Sequence, residues 1–480
     1  DSDMWVPFAK GGEDAWILPK MKLNILWESD GAELKSYDNS VIRNPEYYFS
    51  ESLTYTYMKS SGRRVGYLHP VSIFARAGPV IVPDSSIWTV MGYSNSHLVT
   101  YLMNGIDPGR HWEVGNVAKL PWYPDLVDST ELEEISNDVL EAVIYQRMSE
   151  FDSPYYSGPK LLRYVGMEDS LSVHQDHPHR DLMENIEPFD EADSFDESDS
   201  LYESALEVTR IDNQIKLALK KSGHQLDTEV FDFFDLDSDL RKNILTEVGL
   251  RTNENPELNP EFEMEEVTEP RNYQTLVQDL VLHFALKAIL ESDDGIVPTK
   301  ADQESFSSIT DTVIDQFERV WGDYAAERLS EVDNQLGSQQ STDVPYPNLQ
   351  RWLREDLFEY HMHRFENTPI VWRLTSQRLV SDSDVEGFGC YIDYHRFDQS
   401  TFDRIQSSYL EERKSTLTDL RSAANRRRNN ETLSSSERAE AKERLDQYEN
   451  ARQQVDRLEE GLLELMQSRK REWNEETQDL

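Results

Sequence analysis

The chain has 480 residues, of which 38% are hydrophobic and 10% aromatic, enough for roughly two to four domains with buried cores. Acidic residues outnumber basic ones by 92 to 48, and the net charge is −44. Cys390 is the single cysteine, which excludes a disulfide framework and a cysteine-based zinc cluster; we expect a small buried side chain there. Without an apolar run of ~18 residues or a leader-like segment, we expect a soluble, cytoplasmic protein.

The acidic residues are spread along the whole chain. Such a surface suits a cytoplasm at molar salt, where the Debye length falls to ~3 Å and self-repulsion is screened. This pattern predicts a halophilic archaeal source, and the alternative is an acidic protein that imitates DNA or binds basic partners. With a halophilic source, a local basic patch would still be able to contact phosphate groups.

The first part of the chain predicts a mixed, β-rich domain over residues 1–125. Its stretch 63–83 alternates β-branched and aromatic residues with Gly and Pro, which is typical of short strands. Residues 94–106 have apolar side chains at helical spacing. A helix and connection follow over 126–164, begun by the capping sequence Asp128-Ser129-Thr130.

The rest of the chain predicts mainly helices. The segments are an acidic linker or insertion at 165–205, a helical domain at 206–300, a helical domain with a short strand pair at 301–398, and a coiled-coil-like helical hairpin at 399–480. The stretch 273–292 is apolar around its circumference and predicts a buried helix. A capping box at Ser434 and Glu437 begins the second arm of the hairpin. The predicted fold class is α+β: a mixed β-rich domain, mainly α-helical domains, and an antiparallel helical hairpin.

Two local patterns imitate functional sites. His174, Asp176, His177 and His179 are residue types that bind zinc or iron, but Pro178 separates them and no helix or strand fixes their geometry, so we predict no metal site. No nucleophile elbow, phosphate-binding loop or dinucleotide fingerprint is present in the sequence.

The second pattern is Asn44-Pro45-Glu46-Tyr47, which differs by one residue from the Asn-Pro-Pro-Tyr loop of adenine-modifying methyltransferases. Only 43 residues precede Asn44, too few for several βαβ units of ~30 residues each. Glu46 would also place a negative charge beside the base. We therefore predict that this loop is not catalytic.

The succession of motifs nevertheless resembles large adenine-specific DNA methyltransferases of restriction-modification and phage-exclusion type, most of all the BREX (bacteriophage exclusion) methyltransferases in a haloarchaeal version. The resembling segments are WVPFAKGGE (5–13), WESDGAELKSYDNSVIRNPEYYFSESLTYTYM (27–58), SNSHLVTYLMNGIDPGRHWEVGNVAKLPW (94–122), RIDNQIKLAL, the helix at 273–292, GIVPT, and the region 370–410. Together they cover nearly the whole chain, in order, and match the target-recognition and C-terminal helical parts of that family.

The resemblance implies a division of labour. In the family, the S-adenosylmethionine (SAM) sheet and the Pro-Pro-Tyr loop lie upstream of these motifs, so we expect this chain to be a fragment, a split gene or a decayed copy. The complete enzyme would use SAM to methylate the N6 atom of a flipped adenine. This chain alone would have no catalytic residues, bind neither SAM nor a metal, and be inactive.

The present half would then supply target recognition, through base edges and phosphates. The candidate DNA-binding residues are Arg43, Lys59, Arg63, Arg64, Arg76, Arg110, His111, Arg426, Arg427 and Arg428. For each of them the alternative is a surface cation paired with a nearby acid. Tyr47, Tyr48 and Phe49 are expected to pack in the domain core.

The implied partners are double-stranded DNA, the catalytic half of the methyltransferase and other phage-defence proteins, with no membrane. A competing hypothesis is a non-catalytic scaffold whose helical half docks other defence components. A free-standing hydrolase or metalloenzyme is disfavoured because the corresponding motifs are missing from the sequence.

Overall fold

The computed structural model describes the chain except residues 1–4, 11–15, 59–62, 110, 128, 165–169, 172–177, 184–197, 253–260, 301–306, 342–343, 381–385 and 477–480. The chain forms two compact units. The first unit comprises Asp1–Tyr156, Asp176–Asp193 and Leu206–Glu269, and the second comprises Ser157–Gln175, Ser194–Ala205 and Pro270–Leu480. Among the described helices, none combines the length and the apolar composition needed to cross a membrane. The six-segment division expected from the sequence stays a prediction.

The strands are β1 (Trp5–Ala9), β2 (Asn24–Leu26), β3 (Ser52–Tyr55), β4 (Val65–Leu68), β5 (Ile73–Phe74), β6 (Val80–Ile81), β7 (Ile296–Pro298), β8 (Val371–Thr375) and β9 (Gly389–Asp393). The helices up to residue 252 are α1 (Glu28–Ser36), α2 (Ile87–Ser94), α3 (His97–Ile106), α4 (Val114–Val117), α5 (Pro124–Val127), α6 (Thr130–Arg147), α7 (Lys160–Tyr164), α8 (Leu201–Phe233) and α9 (Ser238–Thr252). The later helices are α10 (Tyr273–Leu290), α11 (Ile309–Trp321), α12 (Ala325–Leu336), α13 (Pro347–Glu355), α14 (Leu357–Arg364), α15 (Gln399–Arg404), α16 (Glu411–Arg428) and α17 (Ser435–Glu476). Small sheets followed by mainly helical structure confirm the α+β prediction.

The first unit contains two small sheets. In one, β1 pairs antiparallel with β2 and parallel with β5. In the other, β3 pairs antiparallel with both β4 and β6. The strands β4, β5 and β6 all lie in the stretch that the sequence predicts as strand-rich.

Strand β4 is the last strand of its sheet, and its outer edge is occupied by groups that are not a strand. The amide side chain of Asn95 donates to the carbonyl of Val65 at 2.8 Å and accepts from the amide of Val65 at 3.0 Å. The backbone of Ile17 also bonds this edge, donating to Val65 at 3.2 Å and accepting from Tyr67 at 2.7 Å. Gly66 makes this approach possible, because a Cβ there would lie 2.7 Å from Pro19.

The helices of the first unit pack on these sheets around one apolar core. Leu53 of β3, Met91 of α2, Val139 of α6 and Leu226 of α8 are all fully buried in it. The predicted cap at Ser129 is confirmed, because its hydroxyl accepts from the backbone amide of Leu132 at the start of α6. The helix predicted at 94–106 is confirmed as α3.

The second unit has a three-stranded antiparallel sheet in the order β7-β9-β8. The predicted pair β8–β9 is confirmed, and β7 joins it from the segment GIVPT. The helix α10 is confirmed as buried over nearly its whole length. The apolar spacing of the stretch 349–365 predicts one helix, and this prediction is wrong: the stretch forms two helices, α13 and α14, separated at Asp356.

The helical hairpin closes the second unit. Its first arm runs through α15, a π-helical turn at Ile405–Leu410, and α16, and its second arm is α17. Leu417 of the first arm and Val455 of the second are fully buried between them. The capping box is confirmed, since the Ser434 amide donates to the Glu437 carboxylate at 2.8 Å and the Glu437 amide donates to the Ser434 hydroxyl at 3.2 Å.

Candidate nucleic-acid interface

Arg63 lies inside the first unit, held by groups that are far apart in sequence. Its Nη1 donates to the carbonyl of Asn95 at 2.6 Å. Its Nη2 donates to the carbonyl of Gly223 and to Oδ2 of Asp227, both at 2.8 Å. The guanidinium also lies over the ring of Trp16, with its central carbon 4.9 Å from the ring centroid. These contacts tie the start of β4 to α8.

Asp227 is the acid at the centre of this group. It is buried, and its carboxylate also accepts from the backbone amide of His97 at 2.8 Å and pairs with His97 Nδ1 at 2.5 Å. Burial alone would raise the pKa of Asp227, but the charges of Arg63 and His97 and the hydrogen bonds from His97 outweigh it and hold the pKa at about 2. Asp227 is therefore an anion at neutral pH, and it acts as the anchor for Arg63 rather than as a proton donor.

Arg64 is also internal, with 3% of its surface exposed. Its guanidinium lies over the indole of Trp112, 4.3 Å from the ring centroid, and Nη1 is 3.5 Å from the carbonyl of Thr56. It lines a cavity of about 100 Å³ between the two sheets of the first unit. Sites for drug-sized ligands have volumes of ~300–1,000 Å³, so this cavity does not fit a whole SAM molecule.

Arg43 is exposed, next to the motif that imitates a methyltransferase loop. Asn44 has φ 50° and ψ 50°, in the left-handed region, and begins a 3-10 turn at Pro45–Tyr47. No strand precedes this turn within residues 37–44, all of which are described. The prediction that this loop is not catalytic stays a prediction.

The aromatic residues after this turn only partly meet the expectation that they pack in the core. Tyr48 does so, with its ring 5.3 Å from that of Trp27 and 5.0 Å from that of Phe74. Tyr47 and Phe49 are exposed, so the expectation is wrong for these two residues. The exposed ring of Phe49 makes an edge contact with the ring of Trp27, at a centroid distance of 6.2 Å.

Arg76 and His111 both lie near Tyr57 in the first unit. Arg76 is exposed in the turn between β5 and β6, and the His111 ring is 5.3 Å from the Tyr57 ring. The hydroxyl of Tyr57 donates to Glu113 at 3.0 Å, and this hydrogen bond is the main reason that the pKa of Tyr57 is raised. The two remaining candidates of this region, Lys59 and Arg110, lie outside the described residues.

Arg426, Arg427 and Arg428 form the last turn of α16, at the tip of the hairpin in the second unit. All three are exposed. Basic residues at this end of a helix interact favourably with the negative end of its dipole. Their positive charge therefore has a local structural benefit, and it is also available to an external anion.

Of the histidine-rich motif, His179 lies among the described residues, and the prediction of no metal site stays a prediction. His179 is buried, and its ring contacts the ring of His69 at a centroid distance of 4.7 Å. Nε2 of His69 is 2.9 Å from a carboxylate oxygen of Asp181. No group of three metal-binding side chains was found among the described residues, and His174, Asp176 and His177 lie outside them.

Sequence reasoning missed the residues that decide the environment of these arginines. Asp227 lies 164 positions after Arg63 in the chain, on a helix where nothing distinguishes it from neighbouring acids. It also missed Lys10, Lys20 and Lys22, which line the cavity beside Arg64. The sequence signal for this basic group was the occurrence of three lysines within thirteen residues of an otherwise acidic chain.

Comparison of the sequence with known proteins gives one similar protein. The chain is similar to an adenine-specific methyltransferase. This relative is the adenine-specific methyltransferase BrxX of Escherichia coli O9:H4 (strain HS), which is 23% identical over 426 residues. The alignment covers 85% of this chain and 33% of the relative, so the chain spans about a third of the length of the protein it matches. No family model matches the chain.

Proposed function

We propose that this chain is the DNA-recognition and C-terminal portion of a SAM-dependent, site-specific adenine-N6 DNA methyltransferase of a BREX-type phage-defence system, whose catalytic domain lies outside it. The observation that carries the proposal is the similarity to an adenine-specific methyltransferase over 85% of the chain. The motif order described above agrees with it. The partners in this proposal are double-stranded DNA, the catalytic half of the enzyme and other proteins of the defence system.

The exposed cations of the first unit are the proposed DNA contacts. Arg43 lies two residues before the 3-10 turn at Pro45–Tyr47 and Arg76 lies in a turn, and from such exposed positions an arginine can reach a guanine edge or a phosphate. A bidentate contact to guanine contributes ~1–3 kcal/mol of discrimination, whereas a phosphate contact fixes position without reading sequence. Arg63 is engaged with Asp227, so in this proposal it supports the fold that presents the reading residues.

The acidic surface makes local cations decisive for DNA binding. With a net charge of −44, the chain as a whole repels DNA at low salt. Binding then depends on a few basic groups close to the phosphates, while salt screens the more distant acids. SAM, bound by the catalytic half, supplies the methyl group in the complete enzyme.

The test uses the enzyme rebuilt with its catalytic half, with methylated adenines mapped by sequencing. Arg43→Ala and Arg76→Ala are compared with Lys242→Ala, a surface cation on α9 of the same unit. A relaxed recognition sequence in an arginine variant indicates base reading, and uniformly weaker methylation indicates phosphate contact. If both arginine variants methylate as the parent does, these residues are not the DNA contacts.

The isolated chain provides an independent test of the division of labour. We expect it to bind duplex DNA and not to bind SAM, as measured by fluorescence anisotropy and by titration calorimetry at a KCl concentration that keeps it folded. Micromolar SAM binding would contradict the assignment of the cofactor to the other half.

A scaffold role is the second candidate, and the exposed arginines at the hairpin tip favour it. In this version the second unit docks other proteins of the same defence system. Replacing Arg426, Arg427 and Arg428 together by Ala should then abolish co-purification of the chain with another protein of that system. Methylation of DNA should continue. Unchanged co-purification would remove the support that the hairpin tip gives to this role.

A further inference from the structure

The cavity beside Arg64 is lined by an unusual set of residues for this chain. Acidic residues outnumber basic ones almost two to one over the whole sequence. The described residues that line the cavity include Lys10, Lys20, Lys22 and Arg64 and no Asp or Glu. The threonines Thr54 and Thr56 of the same lining belong to β3 and the residue just after it. The Thr54 hydroxyl already donates to the carbonyl of Pro79, so what suits this concave surface to an anion is its concentrated positive charge.

The cavity is rigid on one side and adjustable on the other. Arg64 is buried, and its stacking on Trp112 fixes the plane of the guanidinium. Lys10 is exposed at the end of a flexible side chain, so it can close over a bound group, and the charge of exposed Lys22 lies at the same rim. Lys20 pairs with Glu150 at 2.8 Å and with Asp152 at 3.7 Å, and partly exposed pairs of this kind are weak enough to exchange for a stronger anion.

The size of the cavity selects a small anion. A cavity admits one water molecule at roughly 10–15 Å³, so about 100 Å³ holds a group of several heavy atoms. A tetrahedral phosphate is of that size, whereas a whole nucleotide would have to extend outside. Arginine with lysines around it is also the usual protein combination for phosphate oxygens.

We propose that this cavity is a phosphate-binding site that receives one backbone phosphate of double-stranded DNA. The DNA source rests on the proposed function, whereas phosphate binding itself does not. A phosphate held between the two sheets of the first unit would fix the register of the duplex without reading its sequence. Arg64 then contributes to DNA binding although its side chain is buried.

The experiment compares the full chain with the double variant Lys10→Gln/Lys22→Gln. Both lysines are exposed, so the fold should persist, and circular dichroism checks this. The matched control is Lys119→Gln/Lys242→Gln, which removes the same charge from exposed positions of the first unit outside the cavity. Each protein is melted with increasing inorganic phosphate at constant ionic strength set by KCl, and duplex binding is measured over a range of KCl.

We expect phosphate to raise the melting temperature of the parent and the control saturably, and to leave the double variant unaffected. For the DNA source, the double variant should bind every duplex sequence more weakly, and its plot of log affinity against log salt should be about one unit less steep. Equal stabilisation of all three proteins by phosphate, or none, overturns the site.

The two assignments fail separately. Phosphate could stabilise the parent selectively while the salt dependence of duplex binding is the same in the parent and the double variant. This result overturns the DNA assignment, and thermal melting with adenosine monophosphate then shows whether a free nucleotide is the ligand. If the parent binds no duplex at all, the proposed function fails, and the phosphate titration still decides the site.

Discussion

Adjacent arginines occur in two regions of the molecule with opposite outcomes. In the first unit, Arg63 and Arg64 are drawn inward, one onto the buried carboxylate of Asp227 and the other onto the face of Trp112. In the second unit, Arg426, Arg427 and Arg428 remain exposed at the end of α16. The same residue type therefore stabilises the fold in one region and is presented to the solvent in the other.

The difference lies in what the neighbouring chain provides. Arg63 and Arg64 directly precede the short strand β4, with aromatic rings, backbone carbonyls and an acid from α8 within reach. The hairpin tip is a two-helix turn in which Asn and Ser predominate, with too few apolar residues to cover a side chain. A run of arginines in a sequence thus does not show by itself whether the side chains are exposed, because the groups that folding brings near them decide it.

The largest effect expected from this contrast is that of Asp227→Asn. The amide leaves Arg63 and His97 without their anion inside the first unit, and removing one partner of a buried ion pair costs about 3–5 kcal/mol. Urea unfolding at fixed KCl, followed by circular dichroism, should show a loss of that order in the free energy of unfolding.

The matched control is Glu449→Gln, which removes a carboxylate from the exposed pair with Arg421 in the hairpin. Its expected cost is within about 1 kcal/mol, because exposed ion pairs contribute little. Similar losses in both variants would contradict the structural role given to Asp227.

Lowering the pH should reduce the difference in unfolding free energy between the parent and Asp227→Asn. The pKa of Asp227 is lowered to about 2 in the folded chain, against ~3.9 when unfolded. A lowered pKa contributes stability that is present above the unfolded value and is lost as the pH falls through the folded value. The difference in unfolding free energy should therefore shrink by about 2 kcal/mol from pH ~5 towards pH ~2.

The difference is measured by urea unfolding of both proteins at each pH where the parent remains folded. Glu449→Gln serves again as the reference for general acid effects. A parent–variant difference that stays constant down to the lowest accessible pH would show that Asp227 is not held as an anion by Arg63 and His97.

The smallest effect is expected at the hairpin tip. Replacing Arg426, Arg427 and Arg428 by Ala loses helix-end interactions of about 1 kcal/mol or less. In the rebuilt enzyme the recognition sequence should be unchanged, as mapped by sequencing methylated adenines. Arg63→Ala in the same assay should lower methylation at all sites in proportion to its loss of folded protein. A changed recognition sequence in the triple variant would place base reading in the hairpin.

Local patterns predicted much of the helical structure. The apolar spacing of the stretch 309–321 predicts a helix, which the structure has as α11, and the capping box at Ser434 predicts the start of α17. Both signals depend on residues a few positions apart. The division at Asp356 was missed because the apolar spacing continues across it. Helix α2 was missed because it is apolar on all sides and lacks an amphipathic period.

The candidate site was less predictable, for a physical reason. Whether an arginine is buried depends on partners that folding brings together, and Asp227 and Gly223 reach Arg63 from about 160 positions away. The cavity likewise combines lysines before β2 with residues of β3 and β4. Sequence periodicity carries no information about such pairs.

The side chain of Asn95 on the outer edge of β4 also bears on self-association. A terminal strand normally offers a row of amides and carbonyls to which a second copy of the same chain can add a strand. Here both backbone groups of Val65 are occupied by one asparagine amide, and Ile17 takes the next positions. Addition of a strand from another molecule at this edge would first require that amide to be released, so the β4 edge of the sheet is protected against aggregation.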